Sequence, residues 1–171
     1  MEPCPWSAQT AVLNSAAVSP EKFLNIPGGE KQKEFMDAKV VWKQKMSFDG
    51  SSDTGFILPL GASPEVGGDN DGFRPVELLA VGLAGCTAMD VISILQKKKQ
   101  AVESFEVRVH ADRADQHPKV FTHIVIEYLI KGQDISIEAV ERAVELSTEK
   151  YCPAHAMFSQ VVPIETKISV M

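Results

Sequence analysis

Cysteine is scarce in this chain: Cys4, Cys86 and Cys152 are the only three among 171 residues, too scattered for a disulfide scaffold. Positive charge is thin as well. Seventeen Lys and Arg stand against 23 Asp and Glu, the formal charge is −6, and the densest basic run is Lys97, Lys98 and Lys99. Nucleic-acid binders cluster many more cations on one face, so no nucleic acid is expected as a partner. The three lysines read as a solvated helix end, where the helix dipole favours cations. There is no dinucleotide fingerprint or phosphate loop, and the glycine-rich stretch 61–72 reads as a flexible connection, so no cofactor is implied. A basic start followed by a clean apolar run is missing from the N-terminus, so no signal peptide is expected. The most apolar stretch, 76–95, has the length of a membrane span but carries Glu77 and Asp90. It reads as a buried helix of a soluble, cytoplasmic protein with no membrane partner.

What is present is patterning. Residues 1–37, with Pro3, Pro5, Pro20 and Pro27 and no sustained period, read as an N-terminal arm; residues 38–171 read as the domain. Residues 39–48 and 55–60 are expected to form a hairpin about the turn Asp49-Gly50. Pro75 at a first helical turn, Glu77 behind it and the lysines at the far end bound a long helix. Its apolar residues cannot share one side of a 3.6-residue period, which predicts a helix enclosed by its own sheet on one side and a second subunit on the other. Alternation over 104–111 and 120–130 predicts two antiparallel strands. An amphipathic helix follows at 137–149, then a short helix from Cys152-Pro153 to Ser159, and a closing strand at 164–170.

In a reducing compartment cysteines are inert core residues, reactive thiols or metal ligands. Cys86, mid-helix among Ala84, Gly85, Thr87 and Ala88, fits a buried core residue, and it also fits a thiol at a close-approach surface or narrow channel. Cys152 is expected as the N-cap of a new helix, where free N–H groups and the dipole favour a thiolate. His155, three positions on, completes a Cys-x-x-His spacing, but no second close pair accompanies it, so no metal is expected. His110, His117 and His123 read as solvent-facing polar residues. Glu77 on its own reads as a favourable first-turn carboxylate, able to hold a cation brought from elsewhere.

Arg74-Pro75-Val76-Glu77-Leu78-Leu79, Ala84-Gly85-Cys86-Thr87-Ala88-Met89-Asp90 and Lys150-Tyr151-Cys152-Pro153 resemble the osmotically inducible protein C and organic hydroperoxide resistance (OsmC/Ohr) family, in its less characterised OsmC-like branch. The resemblance covers residues 38–171. It implies an α+β fold in which long buried central helices are wrapped by antiparallel sheets in an intertwined homodimer with active sites at the interface. It also implies thiol-dependent reduction of organic hydroperoxides: Cys86 as the peroxidatic thiol, Cys152 as the resolving thiol, Glu77 as the carboxylate that orients an arginine, and a dithiol reductant of lipoyl or thioredoxin type. The better-known branches draw that arginine from the first strand and turn, whereas no arginine occurs here between Ala38 and Phe73. Lys43, Lys45 and Arg74 are the nearby cations. The alternative on the same fold is a protein that binds a small apolar ligand or senses redox state.

Overall fold

Alternation and turn chemistry produce most of the strands, and one sheet receives the core. The computed structural model describes residues 35–171, so the expected arm, apart from its last three residues, lies outside the described residues, as does Cys4. Three strands come first: β1 (Ala38–Gln44), β2 (Ser47–Ser52) and β3 (Ile57–Leu60), antiparallel and in that order. The long helix α1 (Pro75–Lys97) follows, then strands β4 (Ala101–Arg113) and β5 (Phe121–Gln133). Next come α2 (Ile137–Leu146), a π-helical turn (Ser147–Tyr151), α3 (Pro153–Phe158) and the last strand β6 (Ile164–Val170).

The hairpin turn does not fall at Asp49-Gly50. It falls at Lys45-Met46, with Lys45 in the left-handed region (φ 44), and Trp42 faces Phe48 across the ladder. Asp49 and Gly50 instead lie mid-strand in β2, paired on both sides. Gly50 lies beneath Leu60, the buried residue of β3, whose Cδ1 would be 3.4 Å from a Cβ at this position. The local turn signal yields to pairing with a strand on either side.

The second sheet has the order β4-β5-β6. β4 and β5 pair antiparallel over their full length, as the alternation predicts, and Ile124, Ile126, Tyr128 and Ile130 of β5 all point to the core. The expectation of antiparallel sheets fails at β6, which runs parallel to β5, with Ile124 opposite Ile164 and Ile130 opposite Val170. A parallel pair needs a crossover rather than a tight turn, and α2, the π turn and α3 supply it. The segment that carries Cys152 is therefore anchored at both ends by neighbouring strands.

Helix α1 packs on β4, α2 and α3 through a single stripe: Leu83, Thr87, Val91 and Leu95, spaced by four, are sealed from solvent. The opposite side is bare. Val81 is exposed and Met89 is 74% exposed, so this chain supplies only half of the enclosure expected for α1. By length and composition α1 would also be able to cross a membrane. The sheet β1–β3 is similarly uncovered: every residue of β1 is exposed, including Val40, Val41 and Trp42.

Candidate active site

Helix α1 and the crossover segment bring two thiols together from 66 positions apart in sequence. Cys86 sits half-buried on α1, at the boundary between the sealed stripe and the bare side. Cys152 ends the π turn and caps α3; it is 2% exposed, its N–H donates to the Ser147 carbonyl at 2.8 Å, and its Sγ accepts from the His155 N–H at 3.3 Å. Cys86 packs against the core cluster that contains Cys152, near enough for the two thiols to bear on one another's titration. Burial pushes Cys152 up to about 12, and the neighbouring Cys86 adds to this. The His155 N–H acts in the opposite sense and loses. The expected N-cap thiolate is thus corrected. The cap exists, but a six-residue helix does not offset the desolvation of its charge.

A chain of polar groups lies behind the thiols, and sequence reasoning did not find it. Thr87 Oγ1 is 2.6 Å from Tyr128 Oη and 2.9 Å from Ser147 Oγ, and Ser147 Oγ–H donates to Asp90 Oδ2 at 3.0 Å. Each hydroxyl has one hydrogen. Because that of Ser147 goes to Asp90, Ser147 accepts from Thr87, and Thr87 accepts from Tyr128. Thr87, Tyr128 and Ser147 are all fully buried. Burial pushes the Tyr128 phenol up, against the opposing effect of its bond to Thr87. The signals that could have pointed here are a charged Asp90 in an apolar helix and a Tyr on the core phase of β5, since a buried phenol needs a partner.

The remaining predicted residues lie apart from the thiol pair. Glu77 is held by Arg74: one carboxylate oxygen accepts from the Arg74 backbone N–H at 3.0 Å, and the other from its guanidinium at 3.0 Å. Those bonds hold the Glu77 carboxyl below its usual range, the backbone bond first. Along α1, Glu77 precedes Cys86 by nine residues, about 13 Å and about half a turn round the axis, so one copy of the helix keeps them apart. The lysines of the first hairpin are committed elsewhere, Lys43 to Asp49 at 3.2 Å and Lys45 to Asp69 at 2.9 Å. His155 has a buried Nδ1 without a hydrogen-bond partner, and burial lowers its pKa against the pull of the Thr148 carbonyl. Among the described residues, no three His, Cys, Asp or Glu side chains are grouped to hold a metal ion.

The family model described as OsmC-like protein matches residues 68–167, which include Glu77, Cys86 and Cys152. The chain belongs to the OsmC-like family. Among curated relatives of this OsmC-like protein is Protein YhfA of Escherichia coli K12, 36% identical over 136 residues, which are 80% of this chain and 98% of that one. The crystal structure of a hypothetical protein from Aquifex aeolicus is 29% identical with a TM-score of 0.72, covering 81% of this chain and 98% of its own. An organic hydroperoxide resistance protein from Legionella pneumophila, 18% identical with a TM-score of 0.60 over 81% of this chain and 99% of its own, shares the fold. The α+β architecture with a long central helix is thus the OsmC-like fold. The same fold therefore serves proteins linked by name to hydroperoxides and proteins with no assigned activity.

Proposed function

We propose that this OsmC-like chain is a thiol peroxidase that reduces organic hydroperoxides, with residues 38–171 as the working domain. The observation that carries the reading is the neighbouring pair Cys86 and Cys152, the first half-buried and the second buried in the core that Cys86 packs against. Roles follow from burial and protonation. Cys86 is the sulfur that a peroxide can reach, while Cys152, kept as a thiol, waits to resolve. The Cys86 thiolate attacks the distal peroxide oxygen, the O–O bond breaks, and the alkoxide leaves and takes up a proton as the alcohol. Sulfur is oxidised to sulfenic acid. Cys152 then attacks that sulfur; the S–S bond forms, hydroxide leaves, and the thiol proton completes a water. A dithiol of lipoyl or thioredoxin type returns both cysteines to thiols by two exchange steps.

The working form in this reading is a homodimer joined along the bare side of α1. Gly82 and Gly85 lie on that side, and a Cβ at either would meet nothing in this chain, although glycine inside a helix costs roughly 0.5–1 kcal/mol relative to alanine. Close approach of a second helix supplies the missing reason. In this assembly Glu77, with its bound Arg74, acts as the cation-orienting carboxylate at a site shared between subunits, and the protein works in the cytoplasm.

The test is stopped-flow titration of the reduced protein with cumene hydroperoxide and with hydrogen peroxide, followed by thiol counting and intact mass. Loss of two thiols with a Cys86–Cys152 bridge, faster for the organic peroxide, is the expected result; two unreactive thiols in a folded protein would refute it. One observation favours a second reading, a protein that binds an apolar ligand. A cavity of about 680 Å³ is lined by Val76, Leu79, Val120, Phe121, Phe158 and Val162 among others, and by neither cysteine. That reading expects an apolar compound to copurify and its binding to survive in Cys86→Ala.

A further inference from the structure

Disulfide closure requires two free sulfurs to move to about 2.05 Å from one another, with their Cβ atoms correctly directed. Cys86 is fixed by a long helix. Cys152 is held at the end of an irregular turn, so something must set its position relative to α1. The only polar side chain of the π turn that is fully buried is Ser147. Its hydroxyl makes two hydrogen bonds, both to α1: to Thr87, the residue after Cys86, and to Asp90, one turn beyond Cys86. Its carbonyl accepts the N–H of Cys152 at 2.8 Å. A single residue thus ties the helix of one thiol to the backbone of the other.

The polar character of this tie is costly in itself. Buried hydroxyls gain little for stability over an apolar filling of the same shape, but they demand a definite geometry. Thr87 next to Cys86 and Ser147 five residues before Cys152 carry that demand at the two places where it bears on the sulfurs. A π-helical turn, rare in itself, is found at functional sites more often than elsewhere.

We propose that Ser147 is a positioning residue for the resolving step, clamping Cys152 at closing distance from Cys86, with Thr87 and Asp90 as its anchors on α1. The inference rests on the redox reading of the thiol pair. When the clamp is loosened, attack on peroxide by Cys86 proceeds as before, but the sulfenic acid waits longer for Cys152. A second hydroperoxide then reaches it: the sulfenic sulfur takes the distal oxygen, the O–O bond breaks, and sulfinic acid and a second alcohol are the products.

The experiment compares the full-length parent with Ser147→Ala, Thr87→Val and the hydroxyl-retaining Thr87→Ser. Stopped-flow mixing with cumene hydroperoxide separates sulfenic acid formation from disulfide closure, and intact mass counts sulfinic acid against disulfide. In Ser147→Ala and Thr87→Val, the first phase is expected to stay within about twofold. Closure is expected to slow by at least about five- to tenfold, the effect of one buried hydrogen bond, since each variant removes two, with sulfinic acid rising in proportion; Thr87→Ser is expected to close like the parent. Diamide, which oxidises paired thiols without peroxide chemistry, separates the two claims. A parent inert to peroxide whose diamide closure still slows in Ser147→Ala refutes the peroxidase reading and keeps the clamp. Unchanged closure in both folded variants, by peroxide and by diamide, overturns the clamp, as does slowed closure in Thr87→Ser equal to that in Thr87→Val. If Ser147→Ala does not fold, Thr87→Val decides by the same criteria; failure of both to fold makes the network a general support and overturns the proposal.

Discussion

On one side of α1, Leu83, Thr87, Val91 and Leu95 are sealed between the second sheet and the crossover helices, while on the other side Val81 and Met89 face solvent. Both sides are apolar in sequence. The difference lies in what each meets: the sealed side belongs to the core of a single chain, and on the bare side a Cβ at Gly82 or Gly85 would meet nothing within this chain. Cys86 lies on the line between them. A nucleophile at such a boundary is fixed by packing from one direction and open to a substrate from the other, which neither a fully sealed nor a fully bare residue would be.

That comparison can be broken most directly at the boundary itself. Cys86→Ser should lower peroxide consumption by on the order of 10³-fold or more in a coupled reductant assay, whereas Cys152→Ser should stop at sulfenic acid after one peroxide and, with a second, accumulate sulfinic acid by mass spectrometry. Next in size, Leu95→Ala on the sealed side should cost about 2–5 kcal/mol in urea unfolding. Met89→Ala on the bare side should cost about 0.5 kcal/mol or less within a chain while weakening association in sedimentation. Equal costs for the two would remove the distinction between the sides.

Smaller effects sharpen the picture. The Cys152 thiol has a folded pKa of about 12, above its ordinary 9.0, so folding favours its protonated form. The resulting stability is complete below pH 9 and is lost as pH rises from there toward 12. Denaturation series across that window should therefore slope less in Cys152→Ser than in the parent. The smallest effect has the most informative sign. With open space around its missing Cβ, Gly82→Ala should stabilise an isolated chain by up to about 1 kcal/mol, but it should destabilise a helix pair that needs the gap, as a thermal melt at several protein concentrations would register.

The elements were largely legible because their signals are local. Pro75, Glu77 and the lysines bound α1, alternation marked β4 and β5, and Cys152-Pro153 announced α3. Failures came where tertiary structure decides. Asp49-Gly50 looks like a turn until these residues are known to pair with a strand on either side. The direction of β6 has no local signature, since an alternating strand reads the same whether its neighbour runs parallel or not. At the candidate site, the cysteines and Glu77 could be picked out by type and setting. The protonation of Cys152 could not, because desolvation depends on what surrounds it. The hydroxyl chain was equally hidden, being drawn from Thr87, Tyr128 and Ser147 on three separate elements.

The π turn between α2 and α3 has one more consequence. Relative to regular α-helix, such a turn is an insertion of a single residue, and it changes the phase of everything after it by about 100°. Removing Thr148 would let α2 run on as ordinary helix and would carry Cys152 round, away from α1, with its chemistry intact and its target lost. The pairing of the two sulfurs is thus a matter of counting: the chain brings them face to face by being one residue longer here than a continuous helix would require.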